Sequence, residues 1–398
     1  MMVTIDEYQV AEVQVKAIVQ SIPTRVKRAT MRVAVIITAR PSYAKAKTVI
    51  AALCRRGVDV HLLACASALL ERYGRVVEVI RKDFPDVPIT EIWSTYEGAN
   101  LITSAKETGA LLTDLAGMLM QRRVDAVLVV ADRHEVLAAA EAASYLHVPL
   151  VHLQGGERTG SIDDKVRDAV TQLADIHCVC TPRAAMRVYG LTGSSHITVT
   201  GCPSIDLAKQ AQDEPPVTGE EIGGVNLPFC DDTYRPVIVL QHPVTSEADE
   251  AGAQMATTLK AVFKCGPVLA LWPGEDAGAD AASKVLRREQ QDGWLHTARN
   301  LPPVRFLRLL TQSACLVGNS SAGIRECSYL GVPVVNVGTR QQGRERGPNV
   351  VDVPHDAERI WEAVTRQIQH GLYPSSTLYG RGDAGERIAE VICGMHGL

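Results

Sequence analysis

The sequence predicts an α/β fold with two Rossmann-like domains that face each other across a cleft. Short apolar segments alternate with helical segments along most of the chain, which is the pattern of a doubly wound parallel sheet. These segments are apolar on both faces, as the buried strands of a parallel sheet must be. The chain has 398 residues, which is too long for one ordinary core and fits two domains.

The first half of the chain supplies the first predicted domain, residues 31–207. Its strand candidates are residues 33–38, 58–65, 125–132, 149–154, 176–180 and 196–201. Helical patterns such as "SYAKAKTVIAALCRRG" separate these strands. Residues 1–30 precede this domain and predict an extra amphipathic helix, whose simplest role is packing or a dimer contact.

The alternation breaks at residues 208–235, where paired prolines, glycines and acidic residues predict a linker or domain edge. A second series of strand candidates follows at residues 236–241, 267–272, 314–319 and 333–338. We expect these strands to build a second domain, residues 236–380. Ligands of such sheets bind beyond the carboxyl ends of the strands, so loops of both domains should line one cleft.

Composition excludes several classes of protein. Hydrophobic residues make up 46% of the chain and charged residues 22%, with a net charge of −4, so we expect a folded soluble protein with no nucleic-acid or membrane partner. No segment has the length and apolar character of a membrane span, and the N-terminus lacks the basic and apolar regions of a secretory signal.

The ten cysteines include no CxxC pair. This predicts reduced thiols in a cytoplasmic protein, and neither a disulfide scaffold nor a zinc site.

The stretch "SACLVGNSSAGIREC", residues 313–327, predicts an anion site. Ser320 and Ser321 lie between two glycines, where a strand passes into the N-terminus of a helix. Unpaired backbone N–H groups and the helix dipole favour a phosphate there, and the hydroxyls add donors. A plain serine N-cap is the alternative. Glu326, one turn into the helix, is placed to accept hydrogen bonds from a ribose, so the stretch indicates a nucleotide.

Arg40 and Lys45 follow the first strand in "TARPSYAKAK" and would reach the same cleft from the first domain. A guanidinium donates in a fixed fork, which suits a diphosphate. The alternative is a pair of surface charges.

Acidic, amide and imidazole groups follow several other strands, as proton-transfer chemistry requires. These residues are Asp132, Gln154, Glu157, Asp163, Asp164, Gln241, His242, Glu275 and Asp276, with Arg133 and Arg167 beside them.

Each of these residues also has a structural alternative. Asp163 or Asp164 could cap a helix that begins at Lys165. His242, before a proline, could pack in a turn, and Glu157 could be a solvated loop charge. Their convergence at the strand ends of one cleft favours function.

Four stretches resemble the hydrolysing UDP-N-acetylglucosamine 2-epimerases of bacterial sialic-acid pathways and the epimerase half of the bifunctional animal enzyme. They are "GGERTGSIDDKVRDAVTQLADIHCVCT", "LQHPVTSE", "LWPGEDAGADAASKVLRRE" and "GNSSAGIRECSYLGVPVVNVGTRQQGRERGPNV", and "YPSSTLYGRGDAGERI" matches as well. The resemblance covers residues 31–396 in order. It implies a GT-B-like fold in which a C-terminal helix, residues 381–398, packs back on the first domain.

The resemblance implies a reaction in which UDP-GlcNAc and water give UDP and N-acetylmannosamine through a glycal. No metal or nicotinamide cofactor is needed, and family members are homo-oligomers, either dimers or tetramers. The resemblance assigns the diphosphate to Arg40, Ser320, Ser321 and Arg340, and the ribose to Glu326. It places Asp132, Asp163 and His242 in the catalytic or sugar-binding set. We add Glu157 and Gln154 to the catalytic candidates, and Lys45, Arg133 and Arg167 to the binding candidates.

Three positions depart from the family pattern, all on the sugar side of the cleft. Gln154 replaces a Glu, Ser42 replaces an Asp and Asp168 replaces a His. Alternatives to the epimerase therefore remain. The first is a UDP-sugar hydrolase that leaves C2 unchanged, or an enzyme acting on a modified amino sugar. The second is a GT-B glycosyltransferase, and the third is a non-catalytic UDP-sugar sensor.

Overall fold

A computed structural model describes residues 30–96, 101–160, 162–223, 235–274, 277–293, 295–298 and 301–395. The predicted helix within residues 1–30 lies outside the described residues, apart from residue 30. Glu275 and Asp276 also lie outside them.

The first half of the chain forms a parallel sheet of seven strands in the order β3-β2-β1-β4-β5-β6-β7. The strands are β1 (Arg32–Ile37), β2 (Asp59–Cys65), β3 (Ile89–Ile92), β4 (Ala126–Val130), β5 (Leu150–Leu153), β6 (Ile176–Val179) and β7 (Ile197–Val199). The central strand β1 pairs with β2 on one side and β4 on the other, so that Val33 lies between Val60 and Ala126.

Helices cover both faces of this sheet. They are α1 (Arg40–Arg55), α2 (Val76–Asp83), α3 (Leu101–Arg122), α4 (His134–Tyr145), α5 (Asp163–Leu173), α6 (Pro182–Thr192) and α7 (Pro203–Gln212). Alternate residues of β1 enter opposite cores: Val33 and Val35 pack with α1, whereas Ala34 and Ile36 pack with α3 and α4. Side chains alternate along a strand, so a strand buried on both faces must be apolar at every position.

The second half forms a parallel sheet of six strands in the order β10-β9-β8-β11-β12-β13. The strands are β8 (Val237–Leu240), β9 (Val268–Leu271), β10 (His296–Ala298), β11 (Cys315–Gly318), β12 (Val334–Val337) and β13 (Val350–Val353). Its helices are α8 (Ala251–Val262), α9 (Ala279–Gln291), α10 (Pro303–Thr311), α11 (Ser321–Ile324), α12 (Glu326–Leu330) and α13 (Ala357–His370).

The last helix, α14 (Ala384–Gly394), packs on the first sheet's side of the molecule. Its apolar residues, including Ile388 and Ile392, share a core with α1 and β1. Asp206 of α7 fixes the start of this helix, because its carboxylate accepts hydrogen bonds from the N–H groups of Ala384 (2.9 Å) and Gly385 (2.7 Å). The predicted fold class is confirmed, including this returning helix.

The sequence analysis identified ten of the thirteen strands among the described residues and missed β3, β10 and β13. All three lie at sheet edges. Edge strands contact one neighbour and are partly exposed, so they lack the continuous apolar run that marks a central strand. Helix α7 extends to Gln212 and thus into the region predicted as linker, of which residues 224–234 are not described. No helix in the described part of the chain is both long enough and apolar enough to cross a membrane.

Candidate active site

The loops after the strands of the two sheets meet directly. The loop after β5 reaches the loop after β12, where Gly343 lies against Arg158. A Cβ atom on Gly343 would come within 2.6 Å of the Arg158 Cβ atom and 2.9 Å of its backbone. Only a glycine permits this approach, and it brings the functional side chains of the two halves into one cluster.

Glu157 is the centre of that cluster. Its Oε2 atom lies 2.5 Å from Nη2 of Arg325 and 2.8 Å from Nε of Arg344. All three side chains are buried, and both arginines come from the second half of the chain. Burial by itself would raise the pKa of Glu157, but Arg325, Arg344 and Arg167 outweigh it and lower the pKa to about 2.

A second ion pair joins the half-buried Asp132, after β4, to the buried Arg167 of α5. Nη2 of Arg344 lies 4.0 Å from the same carboxylate. Burial would raise the pKa of Asp132, but Arg167, Lys45 and Arg344 lower it well below its usual range. Arg167 also donates to the backbone oxygen of Glu157 at 2.9 Å, so it links Asp132 to the loop that carries Glu157.

The two neighbouring aspartates at the start of α5 differ in position. Asp164 is buried and accepts hydrogen bonds from the N–H groups of Thr159 and Gly160, both at 2.8 Å, and from Arg167 at 2.6 Å. It therefore holds the loop that carries Glu157. Asp163 is the first residue of the helix and is half-buried.

The other three cations predicted from the first half have different surroundings. Lys45 is half-buried near Asp132, Cys202, Arg325 and Arg344. Burial lowers its pKa, and the nearby Arg325 lowers it further. No hydrogen bond or ion pair of Lys45 is present among the described residues, which leaves the ammonium group available to an anion.

Arg40 and Arg133 are engaged by neighbouring groups. Nη2 of Arg40 donates to the backbone oxygen of Tyr73 at 3.4 Å. Arg133 precedes α4 and forms a forked contact with Glu135 in the first turn of that helix, with distances of 2.9, 3.1 and 3.2 Å. The structure thus brings Lys45 and Arg167 into the central cluster and turns Arg133 toward Glu135.

The turn that carries Ser320 and Ser321, here called the serine turn, follows β11, as predicted. Gly318 has φ +136°, and a Cβ atom there would come within 2.2 Å of the Leu240 oxygen. The Asn319 side chain then bonds both backbone groups of His242, at 2.7 and 2.8 Å. Oγ of Ser320 accepts a hydrogen bond from the N–H of Ala322 at 3.3 Å and caps α11. The ends of β8 and β11 are thereby held side by side.

Arg340, Glu326 and His242 surround this turn. Nη1 of Arg340 lies 3.4 Å from the Asn319 oxygen. Glu326 is buried at the start of α12, and its Oε2 atom has no hydrogen-bond partner among the described residues. Nδ1 of His242 accepts the N–H of Gly274 at 2.9 Å. Since Nδ1 accepts, the proton of the neutral ring resides on Nε2, which makes that atom a donor.

The three departures from the family pattern have clear structural surroundings. Gln154 is buried after β5 in the left-handed region, with φ +65°, and its amide contacts Cys202. Oγ of Ser42 accepts hydrogen bonds from the N–H groups of Thr38 and Ala39 at 3.1 and 3.0 Å. A serine at this position therefore provides the acceptor that the backbone needs at the turn into α1. Asp168 is paired with Arg187 at 2.5 Å and lies outside the central cluster.

Sequence reasoning missed three residues of the site: Arg325 and Arg344, which pair with Glu157, and Cys202, which contacts Gln154. Arg325 lies inside the serine stretch and Arg344 inside "RQQGRERG", both within the matched region. Their spacing gave no signal of their role, because their partner Glu157 is far away in sequence. Cys202 gave no signal either, since buried cysteines are common in cores.

A group that could hold a cation lies at the start of α4, where the donor atoms of Glu107, His134 and Glu135 lie within 4.8 Å of one another. The two ring nitrogens of His134 face different carboxylates, Glu107 at 3.2 Å and Glu135 at 3.6 Å. Arg133 already pairs with Glu135. The arrangement is that of a charge cluster around an imidazole, and we assign no metal to it.

Comparisons with known proteins place the chain in a family. The sequence profile of UDP-N-acetylglucosamine 2-epimerase matches residues 51–393. A UDP-N-acetylglucosamine 2-epimerase from Neisseria meningitidis serogroup B is 29% identical over 91% of this chain and 94% of its own length. The UDP-N,N'-diacetylbacillosamine 2-epimerase (hydrolyzing) of Legionella pneumophila is also 29% identical, over 84% of this chain and 88% of its own length.

Solved structures agree on the fold. The UDP-GlcNAc 2-epimerase of Neisseria meningitidis bound to UDP-GlcNAc superposes with a TM-score of 0.75 at 18% identity, covering 92% of this chain and all of that one. The enzyme of Methanocaldococcus jannaschii in complex with UDP-GlcNAc and UDP gives the same TM-score at 17% identity, with the same coverage. The predicted family resemblance is confirmed: the chain belongs to the UDP-N-acetylglucosamine 2-epimerase family.

Proposed function

We propose that this protein is a hydrolysing UDP-N-acetylglucosamine 2-epimerase that converts UDP-GlcNAc and water into UDP and N-acetylmannosamine. The observation that carries the proposal is the buried cluster in which Glu157 of one half is held by Arg325 and Arg344 of the other. Lys45 lies beside it and has no hydrogen bond or ion pair within the part of the chain that the structure describes. Such a cluster offers both cations for a diphosphate and carboxylates for proton transfer. The hydrolysing relative from Legionella supports this reaction type.

The nucleotide side is assigned to the second half of the chain. The serine turn and Arg340 would hold the diphosphate, together with Arg325 and Arg344 of the buried cluster. Lys45 and Arg40 would approach from the first half. The unpaired Oε2 of Glu326 would accept the ribose hydroxyls. His242 would donate from Nε2 to an oxygen of the ligand. Several fixed cations and a helix N-terminus would then neutralise the leaving UDP without a metal ion.

The chemistry is an elimination followed by a hydration. A base takes the C2 proton, the electron pair forms a C1–C2 double bond, and the C1–O bond breaks with its pair leaving on UDP. Water then supplies a hydroxyl to C1 and a proton to C2 on the opposite face, which gives the manno product. Asp132, Glu157 and Asp163 are the candidate bases. Gln154 cannot serve, because an amide does not accept a proton at neutral pH.

Glu157 is the candidate whose basicity depends on the ligand. While Arg325 and Arg344 hold it, its pKa near 2 makes it a poor base at neutral pH. A diphosphate in the cleft competes for the same guanidinium groups. A carboxylate that loses its counter-ions in a buried site has a raised pKa, so substrate binding would convert Glu157 into a base. Asp132 also lies 4.0 Å from Arg344, but its paired counter-ion, Arg167, lies in the same half as Asp132 and would stay in place.

A second candidate substrate is a diacetamido sugar, since the Legionella relative named for UDP-N,N'-diacetylbacillosamine is as similar as the Neisseria enzyme. The reaction would be the same. We further propose that the protein acts in the cytoplasm as a dimer or tetramer.

Glu157→Gln should lower the stability of the fold, because it leaves two buried guanidinium groups without their counter-charge. We expect a loss of about 3 kcal/mol in the free energy of unfolding at pH 7, from the pKa difference between the folded and unfolded carboxyl. Urea unfolding at pH 7 measures this free energy. Since the folded pKa lies below the unfolded value of about 4.5, the stabilisation is complete above that pH and disappears as the pH falls toward 2.

The wild type and the variant should therefore converge in stability at acid pH. Asp168→Asn is the control, because it removes a partly exposed pair with Arg187. Equal stabilities of Glu157→Gln and wild type at pH 7 would show that the cluster does not stabilise the fold.

Replacing Ser320 and Ser321 together by Ala should weaken UDP binding by roughly 1–3 kcal/mol, since two donors to the diphosphate are lost. Calorimetry measures the affinity. Ser313→Ala is the matched control: this serine is buried in the same stretch, but it bonds the Leu310 oxygen at 2.7 Å, away from the turn. An unchanged UDP affinity in the double variant would reject the diphosphate site.

An NMR time course of UDP-GlcNAc in D2O with EDTA tests the reaction itself. We expect UDP and N-acetylmannosamine carrying deuterium at C2, because the C2 proton is lost to solvent and a deuteron replaces it. The double serine variant, purified in the same way, controls for contaminating enzymes. A gluco product with protium at C2 would identify a simple hydrolase. Activity that disappears with EDTA and returns with Mg²⁺ would favour the glycosyltransferase.

A further inference from the structure

Gln154 and Cys202 form a buried pair in the site. Nε2 of Gln154 donates to Sγ of Cys202 at 3.0 Å, and both side chains are inaccessible to solvent. The other end of the amide, Oε1 of Gln154, is buried and has no hydrogen-bond partner among the described residues. A buried acceptor without a donor is costly unless a ligand supplies one.

The surroundings of Cys202 favour a sulfur that accepts hydrogen bonds. Cys202 precedes α7 as its N-cap, and its Sγ atom lies 2.9 Å from Oγ of Ser204. The groups that act on it come from four elements: Cys180 after β6, Arg325 before α12, Glu326 on α12 and Lys45 on α1. Burial would raise the pKa of this thiol, but the neighbouring Cys180 thiol and the positive charges of Arg325 and Lys45 lower it to about 7.

The state of the sulfur decides which end of the Gln154 amide faces it. A thiolate can only accept, so it selects the amide NH2 group and leaves the carbonyl oxygen pointing away. A protonated thiol can donate to the carbonyl oxygen, in which case the NH2 group would point away instead. The amide therefore offers an acceptor in one state and a donor in the other.

We propose that Cys202 is a positioning residue that orients the Gln154 amide, so that Oε1 accepts a hydrogen bond from an N–H or O–H group of the bound sugar. This inference rests on the proposed function and extends it to specificity. The sugar must carry a donor at the position that Oε1 contacts, which the acetamido N–H and the ring hydroxyls satisfy. A carboxylate at residue 154 would accept as well, but it would place a second negative charge beside the sulfur.

The first test needs no substrate. Thiolate absorbance in the ultraviolet is followed against pH for wild type, Cys202→Ser and Gln154→Met. We expect one thiol that ionises near pH 7 in wild type and is absent in Cys202→Ser. The same thiol should ionise at higher pH in Gln154→Met, which keeps the side-chain size but loses the donor. Identical titrations in wild type and Gln154→Met would overturn the inference, whatever the enzyme's reaction is.

The second test uses UDP-GlcNAc and UDP. Cys202→Ser should raise KM for UDP-GlcNAc about 3- to 10-fold, the effect of one hydrogen bond, while the affinity for UDP stays unchanged. KM of the wild type should also rise as the pH falls below 7, and this dependence should be lost in Cys202→Ser. In a Gln154→Met background, the change at residue 202 should have no further effect on KM.

Cys315→Ala is the control, since Cys315 is buried in the other sheet and touches none of these groups. Equal effects of Cys202→Ser in both backgrounds, or equal losses for UDP and UDP-GlcNAc, would show a purely structural cysteine. A wild type that neither binds nor turns over UDP-GlcNAc would instead refute the proposed function, and the absorbance titration would still decide whether the sulfur and the amide interact.

Discussion

The contact of Glu157 with Arg325 and Arg344 is the interaction on which the site depends. It joins the loop after β5 in one half to the turns after β11 and β12 in the other. A buried ion pair often stabilises a fold no more than apolar side chains of similar volume would, because both charges must be desolvated. A role of the charges other than stability is therefore a reason to look for function here. We propose that the use here is to bind an incoming anion, which would find its cations already desolvated and held in place.

The rest of the site supports this cluster. Asp164 holds the loop that carries Glu157, and Arg167 links that loop to Asp132. The close approach of Gly343 to Arg158 lets the two halves meet without an intervening side chain. On the proposed nucleotide side, Asn319 fixes the backbone of His242 and thereby aligns the ends of β8 and β11. These contacts order the polar groups before a ligand arrives, which is a condition for electrostatic catalysis.

The sequence alone predicted the central strands, the two-sheet architecture and the serine turn, because each leaves a local pattern. A strand buried on both faces is apolar throughout, and small residues after a strand identify a turn into a helix. The edge strands β3, β10 and β13 lack such a pattern. The roles of Arg325, Arg344 and Cys202 depend on partners far away in sequence, so no local spacing could reveal them. The side chain of Arg133 is paired with Glu135, and its predicted role in binding the substrate stays a prediction.

The central claim is that a bound diphosphate takes guanidinium groups from Glu157 and so makes this carboxylate basic. Titration calorimetry of UDP binding at pH 6, in two buffers of different ionisation enthalpy, measures the protons taken up on binding. The account predicts that wild type takes up more protons than Glu157→Gln, because only the wild-type carboxyl acquires a raised pKa in the complex. Equal proton uptake by the two proteins would contradict it.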